Sequence, residues 1–326
     1  MGGFKRTRRA ESATARIFFA TDVHGSDVCF RKFLNAGRFY DVQYLVLGGD
    51  ITGKAIVPVE RRPGGWTVSF LDDTFHDLTE SEVAAVEKRV RDSGLYPIRG
   101  ERDELLALED EEHRERVFTD LIVQRIQDWV TLAEDRLRGT GIRCFVTPGN
   151  DDFFEIDDAL AGSDVVEFVE GRCVRLDDGH EMITTGYSNL TPWNSPRELD
   201  EEALGERIDA MYADVTDPEN LVAVLHPPPV GTALDQAPAI DDQFRVKFEA
   251  GGIIMIGVGS IAVRRFVEER QPLIALHGHV HESQGVERLG RTICLNPGSE
   301  YNDGTLCGAI VRIGDRQVVS HQFVVG

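Results

Sequence analysis

Side chains that commonly bind divalent metals recur along this chain, each at the point where a short apolar segment ends. The set combines carboxylates, imidazoles and one amide oxygen, and these donors suit borderline divalent ions such as Mn, Fe, Co, Ni or Zn. No thiolate accompanies them, so the set does not indicate a structural zinc site. Its members are Asp22, His24, Asp50, Asn150, His226, His279 and His281. The set predicts a functional metal centre.

Each motif is weak when it stands alone. A Gly-Asp or Gly-Asn pair is more often a turn or a helix cap, because Gly and Asn both tolerate positive φ. His226 precedes three prolines, where a histidine is more often structural. His279 and His281 could be a pair of surface histidines, a common false positive for such spacing. The order of all the motifs along the chain, with every one after an apolar segment, is what favours a metal centre.

Five apolar segments precede these side chains, and each has the length and composition of a buried strand. They cover residues 16–21, 44–47, 142–147, 221–225 and 273–276. A helix predicted at residues 29–37 lies between the first two strands, which indicates a right-handed βαβ unit with a parallel pair. In open α/β sheets, ligands bind outside the carboxyl ends of the strands. The five loops can therefore bring their polar side chains to one site.

The segments after residue 171 predict one helix and several further strands. Residues 172–176 and 181–185 flank an Asp-Asp-Gly-His sequence and predict a hairpin. Residues 260–269 predict a helix. Three further strands, which we expect to be antiparallel, are predicted at residues 292–295, 306–313 and 317–324.

A long polar stretch over residues 54–138, the insertion, separates Asp50 from Asn150. It predicts a hairpin and two charged amphipathic helices, at residues 54–60 with 66–70, at 79–92 and at 102–137. The last helix carries a stripe at helical spacing, formed by Leu121, Ile122, Arg125, Ile126 and Trp129. We expect this stripe to pack on the core, because amphipathic helices usually do. The alternatives are a cap over the site or a partner surface for oligomerisation.

Composition limits the partners and the compartment. The formal net charge of −21 argues against an extended nucleic-acid partner, which needs a basic face to displace counterions. A small nucleotide stays compatible, because bound metal ions reverse the local sign of charge. Five cysteines without a Cys-x-x-Cys pair indicate reduced thiols in the cytoplasm. No run reaches the roughly 20 apolar residues that span a bilayer. We expect a flexible basic tail at residues 1–14 and a single domain over 15–326.

Taken together, the motifs resemble the five sequence blocks of the calcineurin-like metallophosphoesterases. The blocks in this chain are Asp22-Val23-His24, Gly49-Asp50, Gly149-Asn150-Asp151-Asp152, His226 and Gly278-His279-Val280-His281. They run from residue 16 to about residue 300, with the insertion outside them. Asn296-Pro297-Gly298-Ser299, after the last block, also resembles bacterial and archaeal members. The resemblance implies an α/β fold with a central β-sandwich of mixed sheets flanked by helices, here with a long hairpin and helical insertion.

The resemblance also implies a role for each ligand. One metal would be held by Asp22, His24 and His281, and the other by Asn150, His226 and His279, with Asp50 bridging the two. Two such ions clamp a phosphate and activate a water for attack on phosphorus. The resemblance thus implies a hydrolase that acts on small-molecule phosphoesters, nucleotide-like ones among them, with manganese the preferred metal.

Three further residues are candidates for catalysis. Many family members carry a histidine after the Gly-Asn pair, where it protonates the leaving group, whereas this chain has Asp151 followed by Asp152. A carboxylate beside two cations should have a lowered pKa and stay ionised, which puts the usual acid catalysis in doubt. His277 lies beside the last block. It could orient a metal ligand, or it could be a structural histidine whose ring is hydrogen-bonded within the core.

Several functions fit this set of residues. We favour a phosphodiesterase, by analogy with family members that lack the histidine, over a phosphomonoesterase or a protein phosphatase. A metal-binding scaffold without catalysis is the alternative of another class, but degenerate relatives would lose ligands and here every ligand position holds a competent residue. A nuclease that acts with partners is disfavoured by the net charge.

Overall fold

The computed structural model describes residues 14–249 and 251–326. Residues 1–13 of the predicted basic tail therefore lie outside the described part. Two six-stranded mixed sheets form the centre of the fold. In spatial order, the first sheet consists of β22 (Gln317–Val325), β21 (Cys307–Gly314), β1 (Ala15–Ala20), β2 (Tyr44–Gly48), β7 (Arg143–Thr147) and β8 (Val166–Phe168). The second consists of β19 (Gly285–Leu289), β20 (Thr292–Asn296), β18 (Ile274–Leu276), β13 (Leu221–Leu225), β10 (Glu181–Thr185) and β9 (Arg172–Arg175).

The two sheets pack face to face because their strands alternate apolar side chains between two faces. Ile17 and Phe19 of β1 belong to the same buried cluster as Val222 and Val224 of β13, on the opposite sheet. Phe18, between Ile17 and Phe19, belongs instead to a cluster on the outer face of the first sheet. Every strand of the central part is therefore covered on both sides, which explains why the segments read as continuous apolar runs.

Helices cover the outer faces of the sandwich. The α-helices are α1 (Asp27–Phe39), α2 (Glu80–Asp92), α3 (Arg102–Leu106), α4 (Glu111–Leu137), α5 (Asp157–Ala161), α6 (Glu201–Tyr212) and α7 (Ile261–Arg270). Helices α1 and α4 pack outside the first sheet, and α6 and α7 pack outside the second. The predicted α/β sandwich of mixed sheets with flanking helices is confirmed. In the part of the chain that the structure describes, none of the helices combines the length and apolar composition needed to cross a bilayer.

Residues 56–100 of the insertion form a smaller unit, whereas α4 of the insertion packs on the main core. The sheet of this unit has the order β5 (Asp73–Leu78), β4 (Gly65–Phe70), β3 (Ile56–Arg62) and β6 (Tyr96–Gly100), and α2 packs on it through a separate apolar cluster. The predicted hairpin corresponds to β3 and β4. On α4, Trp129 stacks on Phe30 of α1 with ring centroids 4.2 Å apart. This contact confirms that the apolar stripe of α4 packs on the core.

Two predictions of secondary structure were wrong. The predicted helix at residues 102–137 is broken before α4, because Asp110 has extended backbone and its side chain caps the new helix by accepting from the His113 amide. Strand β20 was expected to be antiparallel, but it pairs in parallel with β18 and antiparallel only with β19. Strands β5, β6, β8 and β19 were not predicted. The short pairs were also not predicted: β11 (Ser188–Asn189) with β12 (Glu198–Leu199), β14 (Gln236–Pro238) with β17 (Met255–Gly257), and β15 (Phe248–Glu249) with β16 (Gly252–Ile253).

Candidate metal centre

The predicted metal ligands lie in loops that follow the carboxyl ends of strands from both sheets. Strands β1, β2 and β7 of the first sheet lead into the loops with Asp22, Asp50 and Asn150. Strands β13 and β18 of the second sheet lead into the loops with His226 and the last two histidines. The parallel pairing of these strands puts their ends at one edge of the sandwich. The structure thus brings together side chains that are up to 259 positions apart, from Asp22 to His281.

The ligand loops have an unusual backbone. Asp22, His24, Asp50 and His279 all have positive φ, at 52°, 38°, 48° and 67°. Non-glycine residues adopt this region only where the surrounding structure imposes it, and they cluster at functional sites. Here the loops hold each other, since the Asp22 amide donates to Gly49 and the His24 amide donates to Asp50, each over 2.9 Å. Hydrogen bonds between neighbouring loops therefore hold this backbone conformation.

The first group of ligands comprises Asp22, His24 and His281, whose donor atoms all lie within 4.8 Å of one another. The Nε2 atoms of His24 and His281 are 3.1 Å apart, and His281 Nε2 lies 3.4 Å from Asp22 Oδ1. Two ligands about 2.1 Å from one metal ion lie about 3.0–3.5 Å from each other. The spacing of this group therefore fits a shared divalent ion.

The second group comprises Asp50, His226 and His279, again within 4.8 Å of one another. His226 Nε2 lies 3.4 Å from Asp50 Oδ2, and His279 Nδ1 lies 2.8 Å from the Asn150 side-chain oxygen. Asp50 Oδ2 is also 3.8 Å from His24 Nε2 in the first group. The carboxylate of Asp50 therefore lies between the two groups, where a bridging ligand would be needed.

Two buried nitrogen atoms test whether metal ions fit here. His226 Nδ1 bonds the Gly48 carbonyl at 3.0 Å, which leaves Nε2 facing the centre with no hydrogen-bond partner among the described residues. His24 Nδ1 is also buried without a partner in the described part of the chain. A buried polar atom without a partner costs about 1–3 kcal/mol, so a ligand bound to such an atom would stabilise the protein. For His226, a metal ion at Nε2 satisfies the atom, with the Gly48 carbonyl fixing the ring.

Comparison with known proteins supports the fold but does not establish an activity. No family model matches the chain. The uncharacterized protein MJ1162 of Methanocaldococcus jannaschii is 30% identical over 152 residues, which are 46% of this chain and 61% of that relative. TT1561 of Thermus thermophilus superposes with a TM-score of 0.51 at 11% identity, over 96% of this chain and 99% of its own. Another crystal structure reaches 0.55 at 15% identity, over 96% and 99%.

These superpositions cover both sheets, and the sandwich places the five motif loops at one edge. The sandwich of two mixed sheets with flanking helices is the fold that the resemblance to the calcineurin-like metallophosphoesterases implies. At identities of 15% and below, the solved structures establish the fold alone. The chain spans about three fifths of the length of the relative that it matches.

The ionisable groups of this candidate metal centre shift one another's pKa values. Burial disfavours a charged His226, but Asp50 and Asp22 outweigh it and raise the pKa of His226 to about 10. Burial and the neighbouring His226 lower the pKa of His279 to about 4, and burial also keeps the pKa of His24 well below its usual value. Burial opposes ionisation of Asp22, yet the surrounding histidines hold its pKa well below the ordinary range. A proton on His226 therefore partly offsets the negative charge that metal ions would neutralise.

Asp152, one of the candidate catalytic residues, is fully buried. Its carboxylate accepts from the amides of Ile51, Thr52 and Gly149 and from the Thr52 hydroxyl, at 2.6–3.1 Å. Burial and the charge of Asp50 raise the pKa of Asp152 to about 6. Both carboxylate oxygens of Asp152 accept hydrogen bonds from the two loops that carry Asp50 and Asn150. Asp152 therefore holds these two loops together.

Asp151 lies at the opening of the centre, and its carboxylate is a quarter exposed. A carboxylate oxygen lies within 4.8 Å of the nearest donor atoms of His24 and Asp50. Burial raises the pKa of Asp151, but the Lys54 ammonium and the Ser195 hydroxyl outweigh it and lower the pKa to about 2. The expected ionised state is thus produced by Lys54 even without metal ions.

His277, the third candidate, is buried beside the second sheet. Its Nδ1 atom lies 2.8 Å from the Leu225 carbonyl, and its Nε2 atom has no hydrogen-bond partner among the described residues. Burial lowers the pKa of His277 to about 4, so the ring is neutral at physiological pH. In the described part of the chain it makes no hydrogen bond to any of the predicted metal ligands.

Four residues near the centre were missed by sequence reasoning. Lys54 pairs with Asp151, and Ser195 donates to Asp151 over 2.6 Å. Arg197 is fully buried and donates through Nε to the Asp152 carbonyl at 2.9 Å. The Tyr301 ring lies 4.6 Å from the His24 ring. Only Lys54 had a usable signal, because it is a cation four positions after Asp50 on the same loop.

Proposed function

We propose that this chain hydrolyses phosphoester bonds with two divalent metal ions held by the predicted ligands. The observation that carries the proposal is the position of Asp50, whose carboxylate lies within reach of ligands from both groups. Such a pair of ions would supply Lewis acidity and lower the pKa of a water nucleophile. This supports a metal-dependent hydrolase over a structural metal site, whose ligands would leave no room for substrate.

The protein side chains have separate tasks in this proposal. Asp50 and Asp22 supply the negative charge that holds two cations close together, and the neutral rings of His24 and His279 supply further ligands. Asp152 fixes the loops of Asp50 and Asn150 relative to each other. Preorganised groups of this kind need little reorganisation during reaction, which is the main source of electrostatic catalysis.

Phosphodiesters are the substrate class that we propose, and manganese is the first metal to test. Asp151 stands where a proton donor would act, and its low pKa leaves it ionised and unable to donate. Substrates with good leaving groups should therefore react best, because they need no protonation. The net charge of −21 disfavours long polyanions, so small nucleotide-like diesters come first.

The test compares Asp50→Asn with Asp178→Asn, a control that removes one exposed carboxylate away from the centre. Wild type and control should bind about two Mn ions per chain and cleave an aryl phosphodiester. Asp50→Asn should lose at least about 10³-fold in rate, because a catalytic metal contributes several kcal/mol. Metal analysis and initial rates measure both. Full activity in Asp50→Asn at saturating metal would contradict the proposal, and two bound ions without hydrolysis of any mono- or diester would favour the scaffold alternative.

A further inference from the structure

Lys54 is the cation at the opening of the metal centre. It follows β2 by six residues and begins the insertion. Its Nζ atom lies 2.8 Å from Asp151 Oδ2, and about half of the lysine side chain is exposed. Asp151 in turn has an oxygen within 4.8 Å of donor atoms of His24 and Asp50. The ammonium is therefore separated from both ligand groups by a single carboxylate, and its other side faces solvent.

The position of the Lys54 ammonium is fixed by its partner. Asp151 Oδ1 accepts from the Ser195 hydroxyl at 2.6 Å and from the Asn150 amide at 3.0 Å, so the carboxylate cannot rotate freely. Its other oxygen, Oδ2, is left for Lys54. A lysine has a flexible four-carbon stem and three donors, and it needs such an anchor to present its charge at one point. Asp151 is its ion-pair partner in the described part of the chain, which leaves donors for a further acceptor.

The balance of charges at the centre indicates that the further acceptor for Lys54 would be an anion. Asp22, Asp50, Asp151 and Asp152 would cancel the charge of two divalent ions if all four were ionised. Lys54 then provides the remaining positive charge at the centre, in a chain whose formal net charge is −21. Burial lowers the pKa of Lys54, but Asp151 and Asp50 outweigh it and raise the pKa above its usual value, so the ammonium stays charged. A local positive charge in an acidic protein attracts anions to that place.

We propose that the Lys54 ammonium, held by Asp151, binds a phosphoryl oxygen of the substrate at the opening of the metal centre. This inference rests on the proposed function, and it names a binding residue outside the metal ligands. The ligand class is a tetrahedral oxyanion, either a phosphoester or the phosphate product. Asp151 then acts as a positioning residue for Lys54 and need not transfer a proton.

The first experiment measures binding of inorganic phosphate to the Mn-loaded protein by isothermal titration calorimetry. Lys54→Met should weaken phosphate binding by roughly 10- to 100-fold, because one charge-assisted hydrogen bond is lost. Lys88→Met is the matched control, since Lys88 is an exposed lysine that pairs with Asp92 on α2. It should bind phosphate like wild type. Both variants should keep the wild-type metal content, and Lys54→Arg should recover much of the affinity.

A second variant separates direct binding from simple neutralisation of Asp151. If Lys54 only cancelled the charge of Asp151, the double variant Lys54→Met/Asp151→Asn would bind phosphate as tightly as wild type. If Lys54 contacts the phosphate, the double variant stays weak, and the double-mutant cycle gives the coupling between the two residues. Asn is isosteric with Asp and can still accept from Ser195, so the loop is retained.

The outcomes distinguish this inference from the proposed function. Wild-type affinity in Lys54→Met, restored affinity in the double variant, or no phosphate binding by Mn-loaded wild type would each overturn the role of Lys54. Phosphate binding that depends on Lys54, in a protein that hydrolyses no ester, would overturn the proposed function and leave the binding site standing. Weakened binding that persists in the double variant, together with an increased KM for the phosphodiester, supports both.

Discussion

The candidate metal centre takes its predicted ligands from loops spread between Asp22 and His281, whereas the insertion at residues 54–138 is one continuous segment with its own sheet. The centre is polar and buried, and four of its ligands have positive φ. The insertion has a small apolar cluster of its own and an outer surface of exposed ion pairs. The candidate centre contains buried polar groups and strained backbone, both of which are unfavourable for folding. The sheet of the insertion is instead stabilised by a small apolar cluster.

The two regions nevertheless meet backbone to backbone. A Cβ atom on Gly94 of the insertion would lie 2.1 Å from the His24 carbonyl oxygen, and one on Gly53 would lie 1.8 Å from the Gly94 carbonyl oxygen. The Gly53 amide donates to the Tyr96 hydroxyl at 2.9 Å, and Arg125 of α4 donates to the Gly25 carbonyl at 2.6 Å. The inner edge of the insertion therefore supports the ligand loops, while Arg61 and Arg62 of its outer hairpin pair with residues of the insertion itself.

The largest expected effect comes from breaking this junction. Gly94→Ala adds a Cβ against the His24 carbonyl in a residue with φ of 83°, so it should cost about 2–5 kcal/mol, part for the left-handed backbone and part for overpacking. Gly139→Ala is the matched control, because Gly139 has φ of 77° and open space around its Cβ position. It should cost only about 1–2 kcal/mol. Urea unfolding measures both values.

The same pair of variants also tests whether the insertion supports the centre. Gly94→Ala should bind Mn more weakly than wild type, because the clash displaces the His24 loop, and Gly139→Ala should bind it normally. Equal losses of stability in the two variants, with unchanged Mn affinity in both, would mean that the junction yields easily. The insertion would then be an independent attachment.

Metal removal should have the next largest effect and should act on the centre alone. Free Mn at 100 times its Kd stabilises the folded state by about 2.7 kcal/mol, which a chelator removes. In metal-free protein, the pKa of His226 is raised from 6.5 to about 10. Protonated His226 therefore stabilises the folded, metal-free protein. This contribution to the free energy of unfolding is present in full below pH 6.5 and is lost as the pH rises through about 10. Metal must displace that proton, so the stabilisation by Mn should grow with pH.

Two histidine variants check the assignment of this pH dependence. In metal-free protein, His226→Gln should remove the loss of stability between pH 6.5 and 10, whereas the exposed His321→Gln should behave like wild type. Thermal melts with and without chelator across this range give the comparison. A wild-type pH profile in metal-free His226→Gln would show that the proton resides elsewhere in the centre.

The sequence was most informative where periodicity and chemistry coincide. Strand β13 has the bounds expected from its apolar run. The residue after it, His226, lies in the candidate centre, as expected for a polar side chain at the carboxyl end of a strand. The packing of the α4 stripe also followed from helical spacing. These features are encoded locally, because a buried strand and its loop are consecutive in the chain.

Other features depend on contacts that local patterns cannot show. Strand β5 is mostly polar and exposed, so it lacks the alternation of a half-buried strand and is defined only by pairing with β4. Ser195 and Asp151 are 44 positions apart, and nothing in either segment indicates that they meet. Arg197 resembles any loop arginine until its burial against the Asp152 carbonyl is known. The support around a site is thus less visible in sequence than the ligands themselves.

The smallest expected effect concerns the outer hairpin of the insertion. Arg62 is half exposed and pairs with Glu60 two residues away, and Arg61 contacts Glu80 and Trp66, also within the insertion. Arg62→Ala should therefore change stability by no more than about 0.5 kcal/mol, because exposed ion pairs contribute little. Relative rates on a panel of mono- and diesters should match wild type, in contrast to Lys54→Met at the inner edge. A cap over the site would instead change the order of substrate preference in Arg62→Ala without affecting its melting temperature.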